Sequence, residues 1–233
     1  MTDTREIVMD TETTGLDPAT GDRIVEIGAL ELVNLVPTGR VYHQYINPRI
    51  PMPAEAQAVH GISDEDLADK PVFEDVGQAF LDFIAGGTLV IHNAPFDIKF
   101  LNAELKRMGK APLVLAEAVD TLQIARGRFP GAQNSLDGLC RRFGIDTSRR
   151  VKHGALLDSE ILADVYLELR GGRQSRLTMD VADAGGSGTE ASGPYRASAR
   201  PGPRPVRVTE DERARHAAFV AEMGEGALWV KEG

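Results

Sequence analysis

An apolar run that ends in two carboxylates constrains the fold of this chain more than any other feature. In Ile7-Val8-Met9-Asp10-Thr11-Glu12, the apolar residues predict a strand over residues 6–10 that ends at the acids. Side chains alternate between the two faces of a strand, so Asp10 and Glu12 point to the same side. Two adjacent carboxylates raise each other's pKa unless a cation lies between them, and their oxygens suit Mg²⁺ or Mn²⁺. From this pair alone, a solvated strand end is the alternative.

Apolar periodicity beyond this run predicts an α/β layer fold with a mixed sheet. We expect strands at 24–32 and 41–46, paired antiparallel across a turn at 37–39. A short run at 88–92 has the composition of a buried strand. The spacing of apolar residues and the capping residues predict four helices, at 73–84, from Pro95 to about 105, from Asn134 or Ser135 to 143, and from about 154 to 169.

Composition divides the chain into three parts. We expect one folded domain over residues 1–170. Residues 171–205 are rich in Gly, Ser, Ala, Pro and Arg, which predicts a disordered, flexible tether. Residues 206–233 contain a capping-box pattern, Thr209-Glu210-Asp211-Glu212, and an isolated Trp229. This part is too short for a core of its own, so we interpret it as a segment that folds on a partner. A frayed tail is the alternative.

Charge and composition limit the class of protein. The net charge is −9, and it lies within residues 1–170, because Lys+Arg equals Asp+Glu beyond them. A domain that grips duplex DNA alone is usually basic. Either nucleic acid is not the substrate, or another protein delivers it and metal ions offset the repulsion. The single cysteine, Cys140, excludes an intramolecular disulfide and a zinc finger. We expect a cytoplasmic protein without a membrane span or secretory signal.

Two further acids and a histidine extend the opening pair. Asp97 falls in the first turn of a predicted helix, where helix capping is an alternative role. Asp158 lies one turn into the last predicted helix among apolar neighbours. His153 is five residues earlier, a rotation of about 140° on a helix, so we expect it on the preceding loop. Four carboxylates can hold two cations that bracket a phosphodiester, and an imidazole can accept a proton from the attacking water.

Three segments resemble, in order, the three exonuclease motifs of the DEDDh 3′–5′ exonucleases: Asp10-Thr11-Glu12-Thr13-Thr14-Gly15, His92-Asn93-Ala94-Pro95-Phe96-Asp97 and His153-Gly154-Ala155-Leu156-Leu157-Asp158. The resemblance implies a ribonuclease-H-like mixed sheet flanked by helices. It also implies hydrolysis with two divalent cations, Mg²⁺ or Mn²⁺, which releases nucleoside monophosphates from a 3′ end. By match to the motifs, the expected metal ligands are Asp10, Glu12, Asp97 and Asp158, with His153 as the general base.

The same resemblance implies a set of substrate contacts. A segment from Pro53 to Ile62 matches the family's substrate-contacting region and contains Glu55 and His60. Thr13 and Phe96 match positions near the terminal nucleotide. With the metal-binding positions that also face the substrate, the expected contacts are Asp10, Glu12, Thr13, Glu55, His60, Phe96 and Asp158.

Within this family the chain is similar to the proofreading subunits of bacterial replicative polymerases. The similarity lies in Phe129-Pro130-Gly131, in Asn134-Ser135-Leu136-Asp137 and in the layout of nuclease, tether and C-terminal segment. It implies that 206–233, with Trp229, docks on the polymerase catalytic subunit. It also implies that 174–179 contacts the sliding clamp through Gln174, Leu177 and Met179. Met179 replaces the usual aromatic and buries less area than Phe, so we expect a weak clamp contact.

The expected function is therefore a 3′–5′ DNA exonuclease that removes mispaired 3′-terminal nucleotides as a subunit of the replicative polymerase. Single-stranded or frayed DNA is the expected substrate, because backbone contacts and stacking do not depend on base sequence. Three alternatives remain. They are a free-standing DEDDh exonuclease acting on RNA or DNA ends, a catalytically silent scaffold joining polymerase and clamp, and a small-molecule phosphohydrolase.

Several other polar residues have structural interpretations. Asp120 is expected to cap a helix, and His92, at the end of a buried strand, to make a structural hydrogen bond. Three basic residues precede His153 on the predicted loop, namely Arg149, Arg150 and Lys152. They have two interpretations, contact with substrate phosphate or a solvated basic loop.

Overall fold

A five-stranded mixed sheet in the order β3-β2-β1-β4-β5 organises the computed structural model, which describes residues 3–150, 152–172 and 209–222. Strand β2 is antiparallel to both of its neighbours, β1 and β3, whereas β4 is parallel to β1 and β5 is parallel to β4. The predicted mixed sheet is therefore confirmed. The strands are β1 Arg5–Thr13, β2 Ile24–Val33, β3 Val36–Tyr45, β4 Thr88–Ile91 and β5 Val119–Asp120.

Helices flank the sheet, and the four that periodicity predicted are confirmed. The helices are α1 Ala54–His60, α2 Asp64–Leu67, α3 Phe73–Ile84, α4 Ala94–Arg107, α5 Thr121–Arg128, α6 Leu136–Phe143, α7 Ala155–Leu169 and α8 Glu210–Glu222. Ser135 caps α6, and Gly144 ends it with a φ of 68°, a conformation that glycine adopts without strain. None of the helices in the described part of the chain is long and apolar enough to cross a membrane.

The two faces of β1 pack against different helices. Ile7 and Met9 belong to a buried cluster that contains Phe80 of α3 and Phe100 of α4. Val8 points the other way, into a cluster with side chains of α7. Because side chains alternate along a strand, Asp10 and Glu12 continue the face of Val8, which is the face that α7 covers.

The turn of the first hairpin lies earlier than the sequence indicated. β3 begins at Val36, and the turn falls at Asn34 and Leu35, whose φ angles are 53° and 66°. The predicted strand over 41–46 and its antiparallel pairing with β2 are confirmed over residues 41–45, whereas the turn predicted at 37–39 was wrong, since those residues lie within β3. Pro37 is compatible with a strand here because β3 is an edge strand, so its missing N–H breaks no second ladder.

The chain divides into two units, Met1–Met179 and Asp180–Gly233, and the described part of the second unit is α8 with Thr209. The predicted capping box is confirmed there. The Thr209 hydroxyl accepts a hydrogen bond from the Glu212 N–H, and the Glu212 carboxylate accepts one from the Thr209 N–H. The predicted clamp and docking residues Gln174, Leu177, Met179 and Trp229 lie outside the described residues.

Candidate active site

Parallel pairing of β1 and β4 brings two of the sequence motifs to one edge of the sheet. The pairing ends at Val8 and Val90, so Asp10 and Glu12 lie beyond the last paired residue. The chain leaves β4 at the same edge and enters α4, which carries Asp97 in its first turn. The carboxyl ends of parallel strands meet at one edge, and this places acids from both segments together.

Asp97 is directed at β1. It is buried, and its carboxylate accepts a hydrogen bond from the Thr11 hydroxyl at 2.7 Å. Asn93, the residue before α4, has a φ of 70°, and its N–H donates to the Asp120 carboxylate at 3.1 Å. Asp120 also caps α5, as predicted, by accepting from the N–H groups of Leu122 and Gln123. Asp120 therefore joins the start of α4 to the start of α5.

Helix α7 is held closely against β2, and this contact positions Asp158. The Ala155 N–H donates to the buried Glu26 carboxylate at 3.1 Å, and the Ser159 hydroxyl donates to the Gly28 carbonyl at 2.9 Å. A Cβ on Gly28 would lie 2.2 Å from the backbone nitrogen of Leu156, so only glycine permits this approach. Asp158 is thereby buried in the first turn of α7.

His153 precedes α7 on the loop, as its five-residue separation from Asp158 predicted. Its side chain is 45% exposed, and Nδ1 lies 3.0 Å from Oδ2 of Asp158. Ligand atoms of Glu12, His153 and Asp158 all lie within 4.8 Å of one another. The structure thus brings acids of β1 and α7 and the predicted base into one group. We call Asp10, Glu12, Asp97 and Asp158 the acid cluster.

Burial and repulsion between carboxylates raise the pKa values of three acids in the cluster, Asp10, Glu12 and Asp97. Burial, followed by the nearby Asp97, raises the pKa of Asp10 well above its ordinary value. Burial raises the pKa of Glu12 to about 8, with Asp158 and Glu26 adding repulsion. Burial also raises the pKa of Asp97, to about 7. In the absence of a metal ion, the raised pKa values favour the protonated form of these acids near neutral pH. A divalent metal ion would replace those protons, so the acid cluster fits a metal ion.

Arg150 occupies a position that neither sequence interpretation anticipated. Its side chain is 8% exposed, and Nη2 donates to Oδ2 of Asp158 at 2.6 Å. Nη2 also lies 2.6 Å from Nδ1 of His153, and the guanidinium forms an ion pair with Asp137 of α6. Arg149, by contrast, is 77% exposed and lies 3.7 Å from Glu160. The interpretation of Arg150 as part of a solvated loop is therefore wrong, whereas its contact with substrate phosphate stays a prediction.

The four predicted substrate residues outside the acid cluster line one cavity of about 490 Å³ beside Glu12, namely Thr13, Glu55, His60 and Phe96. His60 is buried, and its Nδ1 accepts a hydrogen bond from the Ile62 N–H at 3.1 Å. Its Nε2 has no hydrogen-bond partner among the described residues. Burial lowers the pKa of His60, so the ring is neutral and presents an Nε2–H donor.

Two residues of the site were missed by sequence reasoning. Glu26 interrupts the apolar run of β2, pairs in register with Glu12 across the sheet, and contacts His43 at 2.7 Å. An acid inside a buried strand was the available signal for it. Thr11 lies between the two opening acids but faces α4, where it binds Asp97. The predicted structural role of His92 is confirmed, since its Nδ1 lies 2.9 Å from the Thr121 hydroxyl.

Comparison with protein families gives a match to the exonuclease family over residues 7–166. The chain is 57% identical over 182 residues to a DNA polymerase III subunit epsilon of Rickettsia felis, covering 77% of this chain and 80% of that one. It is 51% identical over 179 residues to the subunit of the same name from Salmonella typhimurium, covering 74% of each. The family match over residues 7–166 includes all four residues of the acid cluster.

Solved structures share the fold. The nuclease domain of 3′hExo, a DEDDh family member bound to rAMP, superposes with a TM-score of 0.63 at 19% identity, covering 72% of this chain and 92% of that one. Exonuclease X in complex with 5′ overhanging duplex DNA superposes with a TM-score of 0.56 at 28% identity, covering 71% and 90%. The expected ribonuclease-H-like mixed sheet flanked by helices is therefore confirmed.

Proposed function

This chain belongs to the exonuclease family and, within it, to the DNA polymerase III epsilon subunits, and from that premise we infer that it is the proofreading nuclease of a replicative polymerase. It is a hydrolase that removes nucleotides from the 3′ end of DNA. One observation carries this conclusion above the others. The similarity to subunits of that name covers 80% of the Rickettsia felis chain and 74% of the Salmonella typhimurium chain. The geometry adds support, because ligand atoms of Glu12, His153 and Asp158, from the first and third motifs, lie within 4.8 Å of one another.

We assign the acid cluster to two divalent cations, Mg²⁺ or Mn²⁺. Its members supply hard carboxylate oxygens, which suit these ions and not soft metals. The raised pKa values of Asp10, Glu12 and Asp97 support this role, because protons on these groups are readily exchanged for a cation. When bound, such a pair of ions activates water and stabilises the leaving 3′ oxygen of the phosphodiester.

His153 is proposed as the general base that accepts a proton from the attacking water. Its place on the loop before α7 leaves the ring partly exposed, so the ring can reach a water at the scissile phosphate. Its contact with Oδ2 of Asp158 supplies a partner that orients the imidazole once Nδ1 carries the proton. Nε2 then remains free to accept a proton from water.

The cavity beside Glu12 is the proposed site of the 3′-terminal nucleotide. Phe96 provides an apolar face for a base, while Glu55 and the Nε2–H of His60 offer an acceptor and a donor for sugar oxygens. Stacking and backbone contacts of this kind do not select a base. A frayed end enters such a cavity more readily than a paired end, because a mispaired nucleotide has lost its pairing energy.

Partner binding explains how an acidic nuclease reaches DNA. We propose that 206–233 docks on the catalytic subunit of the polymerase, and that 174–179 contacts the sliding clamp through Gln174, Leu177 and Met179. Within the docking segment, α8 is described, and its Phe219 is 58% exposed, which provides an apolar anchor. Tethering raises the effective concentration of the nuclease at the primer end, so a basic DNA-binding surface is unnecessary. The replisome, in the cytoplasm, is the proposed location.

The direct test mixes the full chain with a primer–template carrying a 3′ mismatch and with Mg²⁺ or Mn²⁺. We expect release of deoxynucleoside monophosphates from the 3′ end, faster for the mismatch than for the matched end. A variant lacking 206–233 should retain this activity but no longer co-elute with the polymerase. Absence of nucleotide release with either metal would support the silent scaffold, and a preference for RNA ends would support the free-standing nuclease.

A further inference from the structure

Arg150 places a fixed positive charge inside the acid cluster. Its Nε lies 2.5 Å from Oδ1 of Asp158, and its Nη2 donates to Oδ2 at 2.6 Å. Nε and Oδ1 are both buried and are oriented unfavourably for a hydrogen bond, so this second contact is ionic only. The neighbouring Arg149 shares the same segment and charge but stays at the surface. The placement of Arg150 is therefore specific to its position.

The guanidinium occupies the atoms that a metal ion at Asp158 would use. Both carboxylate oxygens of Asp158 face Arg150, and the other residues of the group within 4.8 Å are Glu12 and His153. Arg150 contacts His153 as well, at 2.6 Å. A guanidinium carries donors and no acceptor, and it cannot lose its charge at physiological pH. A divalent cation bound to these oxygens would lie beside the guanidinium and be repelled by it, so the two cations compete for Asp158.

The contact with Arg150 favours the unproductive tautomer of His153. Oδ2 of Asp158 requires a proton on Nδ1, whereas a hydrogen bond donated by Nη2 of Arg150 requires a bare Nδ1, and in a neutral ring the proton then sits on Nε2. A ring of this form cannot accept a proton at Nε2. When Arg150 leaves, Nδ1–H can donate to Oδ2 of Asp158, which is already 3.0 Å away, and Nε2 gains a free lone pair.

We propose that Arg150 is a built-in counter-cation of the metal-free site, which the incoming divalent cation displaces from Asp158 and His153. This inference rests on the proposed function, because it assumes that the acid cluster binds metal. The ion pair with Asp137 gives the displaced guanidinium an anchor, since Asp137 lies on α6 outside the acid cluster. Metal binding and correct orientation of the base are thus one coupled event, so a site without metal holds its base inactive.

The test is Mn²⁺ binding to the full chain, measured by calorimetry in the absence of DNA. We compare the wild-type chain with Arg150→Gln and with the matched control Arg149→Gln, which removes the same charge at the adjacent residue. Competition predicts tighter Mn²⁺ binding for Arg150→Gln, on the order of 5- to 150-fold, the usual range for coupled ligands. Arg149→Gln should change the affinity by less than about twofold, because exposed charges are screened.

The outcomes separate this inference from the proposed function. If all three proteins bind Mn²⁺ and Arg150→Gln and Arg149→Gln bind it with equal affinity, the proposed role of Arg150 as a counter-cation is overturned. The nuclease assignment is then left intact. Failure of the wild-type chain and both variants to bind Mn²⁺ would overturn the metal assignment and the inference with it.

A second measurement on the wild-type chain does not depend on the folding of a variant. The side-chain Nε–H signal of Arg150 is followed by nitrogen-15 NMR during a Mg²⁺ titration, with its assignment taken from its loss in Arg150→Gln or from sequential connectivity. We expect the signal to shift with the same midpoint as metal binding. A signal that stays in place while Mg²⁺ saturates the site would contradict displacement.

Discussion

The acid cluster and the loop before α7 serve one site, but they are held in place by different forces. Asp97 and Asp158 are positioned by close packing, through Thr11 and through the approach of α7 to Gly28. His153 is partly exposed and is held by polar contacts with Arg150 and Asp158. The fold therefore preorganises the proposed metal ligands Asp97 and Asp158, whereas the position of the proposed base, His153, depends on its polar contacts with Arg150 and Asp158.

The largest expected effect comes from removing two carboxylates of the acid cluster. Asp10→Ala combined with Glu12→Ala should lower the rate of nucleotide release by about 10³-fold or more, because metal binding is lost. Binding to the polymerase should be unchanged. An exposed acid, Asp69, gives the matched control, since Asp69→Ala removes a carboxylate that is 77% exposed and pairs with Lys70. A double variant with wild-type turnover would remove the metal assignment of these residues.

A smaller loss of turnover is expected from a substitution on the loop before α7. His153→Gln removes the proposed base, so kcat should fall by about 10²- to 10⁴-fold. Mn²⁺ affinity should stay within about threefold, because the acid cluster itself is intact. Calorimetry and steady-state kinetics on the same preparation test whether kcat falls while the Mn²⁺ affinity is kept. If Mn²⁺ binding is lost together with turnover, His153 is a ligand and not a base.

The packing between α7 and β2 can be broken with one methyl group. In Gly28→Ala the new Cβ would meet the backbone of Leu156, so we expect a loss of about 2–4 kcal/mol in unfolding free energy. Turnover should fall as well, because Asp158 moves with α7. Gly127→Ala is the control, since a Cβ there meets no atom within 4 Å and the site lies in α5. Chemical denaturation showing equal stability for both variants would contradict the close approach.

The smallest expected effect is a dependence of stability on pH in the metal-free protein. The pKa of Glu12 is raised to about 8 and that of Asp97 to about 7, so the folded state holds more protons than the unfolded state at neutral pH. Stability must then fall as pH rises through this window. We expect a Tm lower by on the order of 5 °C at pH 8.5 than at pH 7.

Mn²⁺ should reduce the difference in Tm between pH 7 and pH 8.5, because the metal ion replaces the protons of the acid cluster at both pH values. The Tm values are compared at pH 7 and above because two histidines have the opposite effect at lower pH. Burial lowers the pKa values of His60 and His92, so they make stability rise with pH there. Thermal unfolding followed by circular dichroism after chelation checks the effect. A metal-free Tm that is flat or rises with pH would show that the acid cluster is not perturbed in this way.

Local patterns predicted the parts of the site that depend on local geometry. Strand alternation placed Asp10 and Glu12 on one face, and helical rotation placed His153 on the loop before α7. The four main helices were readable from apolar periodicity. Helix α5 was not, because its buried residues are the small Thr121 and Ala125, which contribute little to an apolar pattern.

Contacts between distant segments were beyond the reach of the sequence. Glu26 meets the N–H of Ala155 across 129 positions, and the pattern of β2 shows only an acid in an apolar run. The buried state of Arg150 depends on α6 and α7 meeting around it, so its sequence neighbours look the same as those of Arg149. The hairpin turn was misplaced because Pro37 and Gly39 are stronger local turn signals than Asn34.

The most direct measurement is anomalous diffraction from crystals grown with Mn²⁺ and a deoxynucleoside monophosphate. We expect two manganese peaks about 3.5–4 Å apart, ligated by Asp10, Glu12, Asp97 and Asp158, with the nucleotide in the cavity of Phe96 and His60. No manganese at these four carboxylates, or a nucleotide bound elsewhere on the protein, would contradict it.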